Sequence, residues 1–579
     1  MVDFRKAILL LAVLVFATGI ASAQQALNCT LNGGAPPLLR AEGVAEEVGQ
    51  AFITCQGGTP TAVGQPVPRI NVRVFTPSYN ITSKLLSGGA SEATLLIDDP
   101  APGNQVWATW PTPPVCNGPY SSACGNMFFA HQVTGNAQAI EWRDIPFDPP
   151  GTPGFTRTLR FVNIRVNAAL ATGGNVTSLV PPSVSIFVSI TGTFTLPITS
   201  PFLTVGYIQN GLQFTLRNSA NDATITAVNI SQCVTPSVPA FYARFSELFP
   251  NSFRIRGGSG ANIPYGPPYQ NDLTQIYNTE SMFWGGVPGD ATYLNSGAGQ
   301  ASQATRLRLA FSGIPSGVLL YVPNLLASGG ITASLVGLGV DGNTTQALSS
   351  NPSWYTGPNT ASQISLTGGA GAAIFEVTVA NPGATQNWDL PVYIRYSGLP
   401  DLGSGNVLGS YAPLSTTDTA SSTAPVPRFV QNPAATYPIN LAACETRLLF
   451  PFVTSIPGWD TGIAISNTTA DPFGTAAQSG ACTLHFYGTP SNSTQTSASI
   501  ASGAQLLFAM SQGNAAQNVT PLTGFTGYLI ARCNFQYAHG YAFISDLGVN
   551  RFAQGYIALV IGGGLTSRYS INPAEALAQ

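Results

Sequence analysis

The chain has 579 residues, of which only 8% are charged, far below the roughly 25% of ordinary soluble domains. Its 44% of hydrophobic residues can build large cores, which argues against general disorder, and its length predicts about two to four domains. A net charge of −3 without a basic cluster argues against nucleic acid and anionic membranes as partners, because both attract concentrated positive charge.

The N-terminus has the pattern of an export signal. Arg5 and Lys6 precede an apolar run that ends in Ala-Ser-Ala, which predicts a signal peptide over residues 1–23 with cleavage after Ala23. The alternative is an uncleaved membrane anchor. No other apolar run reaches membrane-spanning length, so we expect a secreted protein, extracellular or at the cell surface.

Residues 24–238 are predicted to form an N-terminal β-sandwich domain. The segments "PRINVRVFT", "RTLRFVNIRVNAAL" and "SVSIFVSITGTFTLPI" are rich in β-branched residues and are separated by Gly, Pro and Asn. In "LTVGYIQNGLQFTLR", Asn210-Gly211 predicts a tight hairpin. Short strands between such turns indicate antiparallel sandwiches rather than βαβ units.

Residues 239–430 are predicted to form a central β domain with a Tyr/Gly/Pro-rich insertion. The stretch "ARFSELF", residues 243–249, is the best candidate for a helical turn. Strand patterns resume at "TRLRLAFSGIPSGVLLYVP", "AAIFEVTVANP" and "DLPVYIRYSG", and a Ser/Thr/Pro/Ala-rich linker, "APLSTTDTASSTAPVPR", follows them.

Residues 431–579 are predicted to form a C-terminal β-sandwich domain, since six or seven strands in about 130 residues is the size of one sandwich. The whole chain is therefore expected to be all-β. It would contain two or three antiparallel sandwiches in tandem, Ig-like or jelly-roll-like, after a signal peptide.

The third unit contains the motifs "LLFPFVTSIPGWDTGIAISNTTADPFG" and "CNFQYAHGYAFISDLG". Through these motifs it resembles a module of secreted multi-domain β-sandwich proteins of soil bacteria. The first unit is similar to the leading module of the same proteins through "ITCQGGTPTAVGQPVPRINVRVF", "LLIDDP" and "IPFDPPGTPGFTRTLRFVNIRVNA". The resemblance implies secretion and β architecture, and it carries no assigned activity or catalytic residue.

All eight cysteines lie beyond the predicted signal peptide, and an even number in an exported chain favours disulfides. Sequence does not decide connectivity, but proximity and elimination suggest four pairs: Cys29–Cys55, Cys116–Cys124, Cys482–Cys533 and Cys233–Cys444. Unpaired thiols and a metal site with His485 and His539 are alternatives. On a regular strand, however, Cys482 and His485 lie on opposite faces, and both cysteines of the Cys482–Cys533 pair share parity with core residues.

Catalytic and cofactor motifs are weak in this chain, and we expect no catalytic site, no metal and no cofactor. The "GLGVDG" match at residues 337–342 lacks the helix and the acid of a dinucleotide site, which favours a turn cluster. His539 with Asp546 is considered as a histidine–acid pair. Asp98 with Asp99 and Glu141 with Asp144 are carboxylate pairs that could serve a glycosidase. Asp98-Asp99 or Asp471, with loop carbonyls, could hold calcium, but no D-x-D-x-D-G run supports this.

Aromatic residues on loops are the better candidates for a binding surface. Large rigid rings with polar tips stack on sugars or anchor protein partners, although they can equally cover the ends of a sandwich as part of the core. The candidate ligand-binding residues are Tyr265, Tyr269, Tyr277 and Trp284, with Trp107 and Trp110.

The leading hypothesis is a non-enzymatic extracellular protein of structural, adhesive or surface-binding function, with glycans or cell-surface proteins as partners. Carbohydrate binding is one form of it. The alternatives are a glycan-active hydrolase and a subunit of a surface filament or layer. The ligand and the oligomeric state do not follow from the sequence.

Overall fold

The computed structural model describes residues 26–561 with internal gaps, together with the backbone of 575–576. The gaps are 87, 102–103, 109–114, 122–123, 152–153, 194–195, 233–235, 237, 257–278, 284–296, 340–350, 398–399, 416, 432–435, 443, 474, 476 and 549. The predicted signal peptide lies outside the described residues. Within the described residues the chain is almost entirely β, which confirms the all-β prediction.

The first unit is an eleven-stranded sheet that curls until its two halves share one core. This unit has thirteen described strands, eleven of which form the sheet: β1 (Asn28–Gly33), β2 (Leu38–Arg40), β3 (Glu46–Glu47), β4 (Ala51–Gln56), β5 (Arg69–Phe75), β6 (Ala90–Ile97), β7 (Met127–Val133), β8 (Asn136–Pro146), β9 (Arg157–Val162), β10 (Arg165–Val166), β11 (Ser183–Gly192), β12 (Ile198–Thr199) and β13 (Phe202–Gln209). The order is β12-β1-β4-β9-β6-β7-β8-β5-β11-β13-β2, and β10 pairs separately with β3. One buried cluster joins Ile53 and Leu159 from one half to Val72 and Val184 from the other. A four-residue helix, α1 (Ala169–Thr172), follows β10.

The central unit is a sandwich of two sheets. Its strands are β14 (Leu212–Arg217), β15 (Thr224–Ile225), β16 (Val228–Ser231), β17 (Phe241–Glu247), β18 (Arg306–Ser312), β19 (Val318–Pro323), β20 (Leu325–Ser328), β21 (Ile331–Gly337), β22 (Ala361–Ile364), β23 (Gly371–Val379), β24 (Asn387–Tyr396), β25 (Gly403–Ala412) and β26 (Tyr437–Ala442). The sheets have the orders β15-β14-β17-β24-β19-β22 and β16-β26-β25-β18-β23-β21-β20. Trp388 lies at the centre of the core, with its ring centroid 5.9 Å from that of Phe245 and 5.0 Å from that of Phe375.

The third unit is a smaller sandwich with its own core. Its strands are β27 (Thr446–Thr454), β28 (Asp460–Asn467), β29 (Cys482–Thr489), β30 (Ser493–Thr496), β31 (Gln505–Ala509), β32 (Thr526–Cys533), β33 (Ala538–Ser545), β34 (Ala553–Ile557), β35 (Leu559–Ile561) and β36 (Glu575–Ala576), with a 3₁₀ turn at Ala515–Gln517. A six-stranded sheet, β30-β29-β32-β27-β35-β36, packs on a four-stranded sheet, β31-β28-β33-β34. Leu448, Phe450 and Leu484 are fully buried between them.

The hairpin predicted at Asn210-Gly211 is wrong, because the chain crosses there from the first unit to the second. Strand β13 pairs with β11 and β2, whereas β14 pairs with β15 and β17. Neither residue has the positive φ that a type I′ turn requires at both positions. Instead the N–H of Gly211 donates to the carboxylate of buried Glu42 at 3.0 Å. A Cβ on Gly211 would lie 2.7 Å from the Tyr411 hydroxyl, so the crossing needs the small residue.

The chain passes from the sheets of one unit to those of the next at positions other than the domain boundaries expected at 238/239 and 430/431. Strands β14, β15 and β16 precede residue 239 and β26 follows residue 430, yet all four belong to the sheets of the central sandwich. The first change of sheet therefore lies at 210–211 and the second between β26 and β27. Pairing with strands that are distant in the chain decides where each unit begins and ends, and local composition does not encode that pairing.

The helical turn predicted for "ARFSELF" is wrong. Residues 241–247 form β17, in which Phe241, Ala243 and Phe245 are buried and alternate with half-buried positions. This spacing of two places the apolar side chains on the face that meets the core of the central sandwich. Tertiary packing thus overrides the local helical preference of the segment.

A cluster of buried charged residues joins the first unit to the central sandwich. The guanidinium of Arg40 donates to both carboxylate oxygens of Glu280, at 2.6 and 2.9 Å, and to Glu46 at 2.9 Å. Nearby, Arg165 forms an ion pair with Glu92 at 3.2 Å and donates to the backbone oxygen of Glu280 at 2.7 Å. Since Glu280 follows the crossing and the other four residues precede it, these contacts tie the two units together.

Opposite charges keep Arg40 and Glu280 ionised despite their burial. Burial alone lowers the pKa of the Arg40 guanidinium, but the carboxylates of Glu280 and Glu46 raise it well above its usual value. Burial raises the pKa of Glu280, and the positive charges of Arg40 and Arg254 lower it below its ordinary value. The junction is therefore specific, because other arrangements of the two units would leave buried charges unpaired.

Candidate functional site

The Cys/His set in the third sandwich is a disulfide with an outward-facing histidine. Cys482 and Cys533 are directly opposed on β29 and β32 and are bonded, with their Cα atoms 3.9 Å apart. Both are fully buried, whereas His485 is half-buried on the outer face, with Nδ1 3.3 Å from the Thr494 hydroxyl. The parity argument is confirmed, and a metal held by these two sulfurs is excluded.

The other described cysteines are also disulfide-bonded. Cys29 and Cys55 lie opposite each other on β1 and β4, and Cys116 is bonded to Cys124. These are pairs that proximity in the sequence suggested. Cys444 is disulfide-bonded as well, while Cys233 lies outside the described residues, so the fourth pair stays a prediction.

His539 and Asp546 do not form a catalytic pair. His539 is exposed at the start of β33 and Asp546 follows its end, so about 23 Å of strand separates them. The Asp546 carboxylate accepts the backbone N–H groups of Gly548, at 3.0 Å, and of Asn550. These bonds to backbone donors assign Asp546 to the turn after β33.

The carboxylates of Asp98 and Asp99 are each paired with an arginine. Asp98 contacts Arg157 and accepts the N–H of Thr158 at 2.9 Å, and Asp99 lies 2.9 Å from the guanidinium of Arg160. Burial raises the pKa of Asp98, against the lowering effect of Arg157. The contacts tie the end of β6 to β9 and account for both acids without a substrate.

Of the remaining acids considered for chemistry, Glu141 and Asp471 also have local partners. Glu141 is held by Arg73 and, at 2.6 Å, by Arg143. Asp144 has a positive φ of 56° at an irregular point of β8, and half-buried Asp471 accepts the N–H of Phe473 at 2.8 Å. Across the ranges that the structure describes, no three His, Cys, Asp or Glu side chains lie close enough to hold a metal ion.

The aromatic residues predicted to bind ligand are mostly not among the described residues. Trp107 is half-buried and meets Phe129 edge to face, with the ring centroids 4.4 Å apart, so it packs on the first unit. Of the "GLGVDG" match, Gly337 ends β21 and residues 340–342 fall in a gap. The candidates that lie outside the described residues, and so remain predictions, are Tyr265, Tyr269, Tyr277, Trp284 and Trp110.

The outer face of the four-stranded sheet in the third sandwich is exposed, apolar and free of Asp, Glu, Lys and Arg over three rows of opposed residues. We name it the C-terminal apolar face. The side chains of Leu507, Tyr541, Phe543 and Ile557 are 48%, 46%, 44% and 60% exposed. The rows are Leu507-Ala464-Tyr541-Ile557, Ala509-Gly462-Phe543-Gly555 and Gln505-Ser466-His539.

The core side of β33 explains why its large residues point outward. Gly540 and Ala542 face the core, and a Cβ on Gly540 would lie 2.6 Å from the Phe450 ring. Because Phe450 already fills that space, only small residues fit there, and the alternation in "HGYAFIS" places Tyr541 and Phe543 on the solvent side. Sequence reasoning missed this face because large residues are ordinarily assigned to the core.

The surface of the C-terminal apolar face is uneven, with a trough between larger side chains. On β28 it carries only Gly462, Ala464 and Ser466, between the larger side chains of β31 and β33. A Cβ on Gly462 would meet nothing closer than the Phe543 carbonyl oxygen at 3.8 Å, so β28 is the floor of an open trough. By contrast, the Tyr541 ring lies across Gly555, where an added Cβ would be 1.8 Å from its hydroxyl.

Exposed hydrophobic residues are concentrated in this sandwich. Of 26 exposed large hydrophobic side chains among the described residues, 12 lie between 446 and 561, and these include 8 of the 11 aromatic ones. Four of the twelve lie together on the C-terminal apolar face, and apolar side chains grouped on one face mark a contact surface more often than scattered single residues do. The face is therefore the strongest candidate for a functional surface.

A second aromatic cluster covers the outer face of the six-stranded sheet of the central sandwich. The ring of Trp354 lies 5.1 Å from that of Tyr321, 5.7 Å from Tyr393 and 5.9 Å from Tyr355. The guanidinium of Arg395 stacks 3.9 Å from the Trp354 centroid. The signal in the sequence is "NPSWYTGPN", in which sequence reasoning identified no site.

An uncharged cleft opens beside this cluster. Its volume is about 510 Å³, and it is lined by residues 314–319 together with Gln363, Leu366, Gly368 and Gly369. The Tyr321 hydroxyl donates to the Gln363 side chain at 3.0 Å, which connects the aromatic cluster to the cleft. Its lining is about equally polar and apolar, and a cleft in this range of volume suits a small neutral ligand.

Comparisons with known proteins leave the family of this chain open. No family model matches it, and no curated protein is similar to it. Among solved structures it is similar to the C-terminal domain of the AgI/II polypeptide BspA of Streptococcus agalactiae, over 71% of this chain and 99% of that chain. The identity is 6% and the TM-score is 0.24. Among the described residues, no helix has the length and hydrophobicity to cross a membrane.

Proposed function

We propose that this chain is a non-enzymatic extracellular protein of structural or adhesive function, which binds an uncharged, apolar partner surface through the C-terminal apolar face. The export pattern at residues 1–23 and the buried disulfides support an oxidising, extracellular setting. The resemblance of the first and third units to modules of secreted proteins supports it as well. The observation that carries the proposal is the exposure of Leu507, Tyr541, Phe543 and Ile557 within three rows that carry no Asp, Glu, Lys or Arg.

The energy available from this face is substantial. Burying a large apolar side chain completely is worth roughly 1.5–3 kcal/mol. Each of the four side chains is about half exposed, so covering them would contribute roughly 1 kcal/mol each, or about 4 kcal/mol together. The exposed parts of these side chains contribute nothing to the stability of the fold, whereas covering them would stabilise a complex with an apolar surface.

The test is adsorption of the full chain lacking residues 1–23 to an octyl-coated surface, measured by surface plasmon resonance. The double variant Tyr541→Ser with Phe543→Ser should lose at least about tenfold in affinity, since about 2 kcal/mol of burial is removed. The control is Phe473→Ser, which removes an aromatic ring 89% exposed in a loop of the same sandwich. A double variant that is folded by circular dichroism and adsorbs like the wild type contradicts the proposal.

Carbohydrate binding by the central sandwich is the second candidate, supported by the aromatic cluster at Trp354 and the uncharged cleft beside it. Neutral saccharides combine apolar C–H faces with hydroxyl groups, which matches the mixed lining of the cleft, where Leu319 and Leu366 accompany the Gln363 amide. Titration calorimetry with neutral oligosaccharides should show binding that Gln363→Ala weakens and that Tyr541→Ser leaves unchanged. Absence of heat with every saccharide tested would remove this candidate.

A further inference from the structure

We infer that the partner bound by the C-terminal apolar face is a second copy of this chain, joined face to face about a twofold axis. This inference rests on the proposed function, since it names the occupant of the same surface. Three properties of the face support it: the absence of charge, the relief and the area.

The absence of charge favours an equally uncharged partner. Its three rows carry no Asp, Glu, Lys or Arg, so a partner that placed a charge against it would lose hydration without gaining a counter-charge. The polar groups present are the Tyr541 hydroxyl, the Ser466 hydroxyl, the Gln505 amide and His539, and each can both donate and accept a hydrogen bond. Such groups can pair with their own copies across a twofold axis.

The relief of the face is self-complementary. The trough along Gly462 and Ala464 runs between a ridge that carries Leu507 and one that carries Tyr541 and Phe543. Adjacent strands are about 4.8 Å apart and packed sheets about 10 Å apart, with interdigitating side chains. A twofold rotation sets the aromatic ridge of one copy over the trough of the other, and the reverse, as an isologous interface requires.

The area predicts a weak and concentration-dependent pair. Three rows about 6.8 Å apart on four strands about 4.8 Å apart cover about 400 Å² of flat surface. Two copies would bury about 800 Å², which is below a standard interface and in the range of weak, transient ones. We therefore expect a dissociation constant in the range of roughly 1–100 μM.

The sharpest variant is Gly462→Leu. It removes no side chain of the ridges, and the room above Gly462 and its ordinary strand φ allow the fold to accept a larger residue. The added side chain fills the trough that the second copy needs. It also keeps the face apolar, so adsorption to an octyl surface should be retained while self-association is lost.

The experiment is sedimentation velocity of the full chain lacking residues 1–23, over concentrations from about 1 to 200 μM, a range set by the expected weak affinity. We expect a monomer–dimer equilibrium that Gly462→Leu weakens at least tenfold, as Tyr541→Ser with Phe543→Ser also does, and that the control Phe473→Ser leaves unchanged. Thermal unfolding monitored by circular dichroism verifies that each variant is folded.

The outcomes separate the two proposals. A wild type that stays monomeric over the whole range overturns the second copy as the occupant. In that case the proposed function stands if octyl adsorption is lost in the double variant and retained in the other variants. If the double variant adsorbs like the wild type, both the inference and the proposed function are overturned. A dimer that persists in Gly462→Leu lies on another surface, such as an edge strand, and also overturns the inference.

Discussion

The buried junction makes Arg40→Met the most informative single substitution in this chain. The variant keeps a long apolar side chain that can still pack against Phe429, whose ring centroid lies 4.8 Å from the guanidinium carbon. It removes the cation that pairs with Glu46 and Glu280, both of which are fully buried. Two carboxylates would then lack their principal counter-charge.

The expected loss of stability depends on whether each unpaired carboxylate stays charged or takes up a proton. Loss of one partner from a buried pair costs about 3–5 kcal/mol, unless the carboxylate takes up a proton instead. From an ordinary pKa of 4.5, protonation at pH 7 costs about 3 kcal/mol per group, and at pH 5 it costs less than about 1 kcal/mol. The free energy of unfolding should therefore fall by about 3–5 kcal/mol at pH 7 and by less than about 2 kcal/mol at pH 5.

The assay is urea denaturation at the two pH values, followed by tryptophan fluorescence and analysed for the transition that involves the first two units. The matched control is Arg532→Met, which breaks a surface pair with Glu445 in the third sandwich and should cost under about 1 kcal/mol at either pH. A cost for Arg40→Met that is equal at pH 7 and pH 5 would refute the reasoning. It would mean that lost packing, not stranded charge, destabilises the variant.

Two further predictions concern the crossing and the third sandwich. Burial raises the pKa of Glu42 to about 7, so the folded state binds its proton more tightly than the unfolded state does. Its contribution is present below pH 4.5 and is lost as the pH rises through 7, on the order of 3 kcal/mol in all. Thermal unfolding should show the wild type losing more stability than Glu42→Gln between pH 5 and pH 8, and equal losses would contradict this sign. Replacing Cys482 and Cys533 together by alanine opens a loop of 51 residues and should cost about 4 kcal/mol; calorimetry that finds the third-sandwich transition unmoved would contradict it.

Much of the local structure of this protein can be read from the sequence. Strand periodicity predicted the all-β class, and parity placed Cys482 and Cys533 in the core and His485 outside it. These inferences succeed because alternation along a strand is a local property that needs no knowledge of the partner strand. Where local preference competed with distant packing, as in the segment of β17, the sequence-based prediction failed.

The sequence by itself determined the compartment expected for the chain, its β class and the scarcity of charge. Only the tertiary structure decided how the few charges are used, since Arg40 and Glu280 are 240 residues apart and meet only when the two units dock. The same holds for the C-terminal apolar face. Phe450 occupies the space across from Gly540, and for this reason Tyr541 and Phe543 point outward. Which face of a strand is buried depends on the volume left by residues distant in the chain, and that volume exists only once the sheets have packed.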